Sequence, residues 1–154
     1  MNDSKTDYLN SYSQTIHNFL RQEFNIRTPI QIKVSDQLEP LARMEFNTVN
    51  SQIMYQDTKI AQPQVVLNAI IFNCDYLNQA LLNKVLMHEA LHFAVYKQGK
   101  QYWDNAFDFE TALCKYHLPT TYENASSIGS TSESTLLLLP RDNQEVPIRI
   151  KSYI

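Results

Sequence analysis

Apolar residues recur every three or four positions over 5–24, at Tyr8, Leu9, Tyr12, Ile16, Phe19 and Leu20. That spacing puts them on one face of an amphipathic helix, which must end before Pro29. The stretch 29–34 (Pro-Ile-Gln-Ile-Lys-Val) alternates with a period of two, as a half-buried strand does. Short strands are predicted over 41–46 and 52–55, and the β-branched run over 64–72 predicts a buried strand. Helical spacing returns over 75–96, with Leu77, Leu81, Val85, His88, His92 and Val95 in one stripe and Asn73 or Asp75 able to cap its start. Gly99 stands just beyond, where a helix C-terminus favours a residue free to take positive φ. A second helix is predicted over 105–116, stopping near Pro119. The segment 123–133, rich in Ser and Thr and containing Gly129, reads as a mobile loop. The stretches 135–139 and 146–153 flank a polar turn and predict a terminal hairpin.

Composition narrows this picture. At 154 residues, 44% apolar and 19% charged, the chain is long enough for one domain over 1–154 with a substantial core. No apolar run is long enough for a membrane span. The polar N-terminus shows no signal peptide, which favours a cytoplasmic protein. Only two glycines occur, against about ten at average usage, so glycine-rich phosphate loops are excluded. Thirteen basic against sixteen acidic residues give a net charge of -3 and a pI near 5.8. That balance provides no general field for nucleic acid, although a local basic patch stays open. Cys74 and Cys114 form no CxxC pair, and each reads as a buried thiol.

Residues 88–92 read His-Glu-Ala-Leu-His. Positions i and i+4 share a helix face, so both imidazoles can reach one metal ion, with Glu89 close enough to polarise a water. Zinc suits neutral imidazole and keeps one position open in catalytic sites. The competing reading is two histidines that merely pack, with Glu89 facing solvent. The inward stripe disfavours it. Two histidines do not complete a zinc site, so a third ligand must come from elsewhere.

The chain resembles the SprT-like (Spartan-type) zinc metalloproteases over about residues 30–118. In that family the active-site helix is followed by Gly-Lys-x-Tyr-x-His, then Asp or Glu and Phe four and five residues later. Here the sequence is Gly99-Lys100-Gln101-Tyr102-Trp103-Asp104, then Asp108-Phe109. The resemblance extends to the preceding strand and to Phe72-Asn73-Cys74-Asp75-Tyr76-Leu77. It implies an α+β, zincin-like fold. Its parts are an N-terminal helix, a small mixed sheet of about three or four strands, the His-Glu-x-x-His helix, a following helix and a C-terminal hairpin.

Two departures matter. Asp104 stands where the family has its third histidine; a carboxylate is an acceptable zinc ligand, and Asp108 and His117 are the substitutes. Asp104 could instead cap a helix beginning at Asn105. No cysteine follows Cys114, so the region 119–154 lacks the cysteine-rich zinc hairpin of many members, and DNA binding is without support. The resemblance implies zinc held by His88, His92 and Asp104, with Glu89 as general base of an endopeptidase. A protein or peptide substrate would lie along an edge strand, either 44–49 or 64–70. Tyr102 and Trp103 border the site, Trp103 more as ordinary packing. A weakly catalytic metal-bound module that binds a partner, and a zinc hydrolase with another substrate, are the competing functions.

Overall fold

The computed structural model describes residues 3–36, 42–46, 48–49, 52–55, 58–59, 62–68, 79–141 and 144–154. Helix α1 (Asp3–Phe24) follows the first predicted stripe, with Ile16 and Leu20 fully buried. It ends at Asn25, whose φ of 55° turns the chain so that the Ile26 N–H reaches the Leu20 carbonyl at 3.1 Å. Asn tolerates this left-handed conformation better than most residues.

Six short strands come next: β1 (Gln31–Ser35), β2 (Ala42–Glu45), β3 (Thr48–Val49), β4 (Gln52–Tyr55), β5 (Thr58–Lys59) and β6 (Gln64–Asn68). The first sheet has the order β1-β6-β2, with β1 parallel and β2 antiparallel to β6. All five residues of β6 are buried, as its unbroken apolar pattern requires. Because β6 is flanked on both sides, it cannot receive a substrate strand, which corrects the option placed at 64–70. Strand β2 is the edge nearer the candidate site. Its register is held where Glu45 faces Gln64: the buried Glu45 carboxylate accepts from Gln64 Nε2 at 2.6 Å and from Arg43 Nε at 2.6 Å. Strands β3-β4-β5 form a separate antiparallel ribbon.

Helix α2 (Gln79–Lys97) packs beneath the first sheet, and helix α3 (Phe107–Lys115) follows it. From Val85 to Val95 every residue of α2 except His88 is buried. Over this stretch the helix is a core element buried around its circumference, where the periodicity predicts a one-sided stripe. The predicted start of α2 at 75–78, its candidate caps, Cys74 and the end of the 64–72 strand lie outside the described residues. The third sheet is β7-β9-β8, from β7 (Pro119–Thr120), β8 (Thr135–Arg141) and β9 (Gln144–Ser152). This hairpin matches the terminal one expected, with Thr135 opposite Ile150.

The segment 123–133 is not a free loop. It contains a single 3-10 turn (Ala125–Ser127) whose Ala125 is fully buried. Its far end is tied to the last strand by Ser132 N–H to the Ser152 carbonyl at 2.8 Å and by Ile154 N–H to the Ser130 carbonyl at 3.0 Å. Gly129 packs so closely that a Cβ there would lie 2.5 Å from Cys114 Sγ. Cys114 itself is half-buried and reduced.

Among the described residues the chain is thus α+β, with three helices and small three-stranded sheets. One hydrophobic cluster runs from Leu9 in α1 to Tyr153. No helix among those residues is long and apolar enough to cross a membrane.

Candidate metal centre

Helix α2 brings His88, Glu89 and His92 together, with one ligand atom from each within 4.8 Å of the others. The turn that ends this helix brings in the next residues. Gly99 has φ 73°, its N–H bonds to the Tyr96 carbonyl at 2.9 Å, and the Lys100 N–H bonds to the Val95 carbonyl at 3.2 Å. These are the two hydrogen bonds of a Schellman motif. It reverses the chain and returns residues 101–104 along the exposed side of His88 and His92.

Both imidazoles are oriented by main-chain carbonyls. His88 Nδ1 donates to the Pro119 carbonyl at 2.6 Å, and His92 Nδ1 donates to the Tyr102 carbonyl. Each Nε2 then points at the same oxygen, Asp104 Oδ1, at 3.3 Å from His88 and 3.3 Å from His92. Phe109, fully buried, fixes the ring planes: it stacks on His92 at 3.9 Å and meets His88 edge-on at 5.2 Å. Phe46 supports Tyr102 through ring contacts with Tyr102, Tyr96 and Phe93.

Two of the three edges of this donor set have the spacing expected around a tetrahedral cation. Bonds of about 2.0–2.1 Å to zinc separate neighbouring ligand atoms by about 3.3–3.4 Å, the spacing between Asp104 Oδ1 and each imidazole nitrogen. With both Nδ1 hydrogens donated to carbonyls, the neutral rings present lone pairs at Nε2, and a carboxylate only accepts. Three acceptors facing one another need a cation or a proton between them.

The electrostatics express the same demand. Burial pushes the His88 imidazole down, but the Asp104 hydrogen bond, the nearby Glu89 and Asp104 charges and the Pro119 carbonyl outweigh it and carry it up to about 9. Partial desolvation would raise the Asp104 carboxyl, whose side chain is 64% exposed, yet the two imidazoles hold it well below the usual carboxylate range. Glu89 is pushed up, by burial first and by Asp104, against the pull of His88 and His92. Its Oε1 lies 3.9 Å from His92 Nε2, and the side chain is 10% exposed. This burial counts against the competing reading of two packing histidines with Glu89 facing solvent.

Asp104 does not cap a helix. Asn105 has φ 69°, which is incompatible with a first helical turn, and α3 starts at Phe107 with no side-chain cap. The substitute ligands are placed elsewhere. Asp108 Oδ2 accepts the Gln101 N–H at 3.1 Å. His117 is exposed and takes the left-handed position (φ 58°) that closes α3. Trp103 is 54% exposed, so the packing role expected of it belongs to Tyr102.

Other contributors lie beyond the side chains of the His-Glu-x-x-His motif and of the segment that follows it. The Pro119 and Tyr102 carbonyls act through the backbone, which leaves no residue-type signature. Glu110, 1% exposed, accepts from Thr120 Oγ1 and Tyr153 Oη, each at 2.7 Å. It thereby ties α3 to β7, the strand whose Pro119 carbonyl holds His88. Its signal was a carboxylate beside Phe109 on the inward face of a short helix. Beside His88 and Glu89 a cleft opens between Ala42 of β2, Val85 of α2 and Ile148 and Ile150 of β9. No protein-family model, curated protein or solved structure matches the chain.

Proposed function

We propose that the chain is a zinc-dependent endopeptidase with a zincin-like, SprT-like site. The observation that carries this reading is the convergence of two carbonyl-oriented imidazoles and Asp104 Oδ1 beside a buried glutamate. His88, His92 and Asp104 would hold the ion. When bound, zinc supplies Lewis acidity towards a carbonyl oxygen and lowers the pKa of a water.

The chain's own residues do the rest. Glu89 accepts the water proton as the oxygen adds to the peptide carbon, and hands it to the departing amine nitrogen. Its raised pKa suits both steps, because a carboxyl closer to neutrality returns a proton more readily. The Pro119 and Tyr102 carbonyls keep both Nε2 atoms directed towards Asp104 Oδ1, where together they would hold the ion. Strand β2 offers an edge along which an extended substrate can pair, with its scissile bond crossing the cleft above Glu89. Asp104 in place of a neutral ligand adds negative charge at the ion. That makes the water less acidic and implies slower turnover than an all-histidine site would give.

Zinc content and cleavage of an unfolded protein, measured for wild type and Glu89→Gln together, test the reading. One zinc per chain in both and cleavage in wild type alone are expected. Zinc in both with cleavage in neither would favour a metal-bound module that binds a partner. Absence of zinc from both would overturn the site.

A further inference from the structure

The cleft beside the histidines has two unlike ends. His88, Glu89 and Asp104 occupy one; Ala42, Val85, Ile148 and Ile150 wall the other. The apolar wall follows from three elements. Val85 lies one helical turn before His88 and Glu89, directly alongside them. Ile148 and Ile150 are two apart on β9 and so face the same side of its sheet. Ala42, on the edge strand β2, is small enough to leave the space between them open. The cleft as a whole, its reacting end included, measures about 170 Å³, so its apolar end has room for part of one side chain rather than for a larger group.

We infer that this apolar end is a specificity subsite for a leucine, methionine or phenylalanine side chain flanking the bond to be cut. The inference rests on the peptidase reading, because a substrate strand beside β2 is what delivers a side chain to this place. A charged side chain would lose its hydration there without gaining a partner. Among the described residues, the carboxylates bordering the cleft are Glu89 and Asp104, both at the reacting end. Thr120, also on the wall, has its hydroxyl engaged by Glu110. A hydrophobic pocket of this size discriminates by at least about tenfold.

The test uses the zinc-loaded full chain carrying Glu89→Gln, so that binding is read without turnover. Its probes are fluorescent glycine-flanked pentapeptides with a central leucine, aspartate or lysine. The leucine peptide is expected to bind at least about tenfold more tightly than the other two. Ile148→Arg, at a half-buried hairpin position, should reverse the order in favour of aspartate. Ala42→Leu, which fills the hollow from the opposite side, should abolish the leucine preference without introducing a charge. Equal affinity for the three peptides, no binding of any, or an order unchanged by Ile148→Arg overturns the subsite. The two readings fail separately. A leucine preference in a protein whose wild type cuts nothing would leave the subsite and remove the peptidase. Cleavage by wild type without apolar residues at one fixed position beside the cuts would do the reverse.

Discussion

Replacing Gly99 by alanine isolates one link between helix α2 and Asp104. Gly99 sits at φ 73°, and a Cβ built there meets nothing within 4 Å. The cost of the substitution is therefore all backbone. An L-residue other than glycine in the left-handed region loses about 1–2 kcal/mol to the clash of its Cβ with its own main chain. For a chain of this length, each kcal/mol lowers the melting temperature by about 2–4 °C, so a fall of about 2–8 °C is expected. Asparagine tolerates the same conformation, and Gly99→Asn should keep much of the lost stability. Urea denaturation of the three zinc-free proteins, compared at unchanged slope, measures the difference directly. Because the two Schellman bonds aim Tyr102 and Asp104, Gly99→Ala should also weaken zinc binding. An alanine variant as stable as wild type, or an asparagine variant no better than alanine, would refute the reasoning.

Asp104→Ala should weaken zinc binding by more than about 100-fold, beyond what loss of a mere outer partner costs; Asp108→Ala and His117→Ala should change it far less, as metal-competition titration would reveal. Glu110→Ala should destabilise the chain by about 1–3 kcal/mol by removing the buried acceptor that the Thr120 and Tyr153 hydroxyls share. Glu110→Gln, which keeps an acceptor oxygen, should cost clearly less in chemical denaturation; equal losses would contradict this role. In the zinc-free protein, folding raises the His88 pKa from 6.5 to about 9. Its contribution is then fully present below about 6.5 and lost as the pH rises through about 9. Denaturation of the zinc-free chain across that window should show the decline, and saturating zinc should remove it, because Nε2 no longer takes up a proton.

Much of the site was legible because its chemistry depends on local periodicity. His88, Glu89 and His92 are fixed by helical spacing alone, and Gly99 marked the helix end because few other residues take its conformation without strain. Residue type alone did not decide the remaining features, which depend on tertiary context. Asp104-Asn105 looks like a helix start by cap propensity, yet Asn105 goes left-handed and the Asp104 carboxylate turns to the imidazoles. Ser and Thr over 123–133 suggested a mobile loop, but a buried Ala125 and main-chain bonds to the final strand hold that segment. Edge and centre of the first sheet could not be told apart from apolar content, since β6 became central only through pairing with both β1 and β2. The carbonyls of Pro119 and Tyr102, which set both imidazole tautomers, carry no side-chain signature at all.

The central claim is that His88, His92 and Asp104 form one cation site. Zinc bound per chain after dialysis against a weak chelator, for wild type, His92→Ala and Asp104→Ala in parallel, tests it most directly. One zinc ion is expected in wild type, with loss of tight binding in both variants. A wild-type protein that retains no zinc, or an Asp104→Ala variant that holds it as tightly as wild type, would contradict the account.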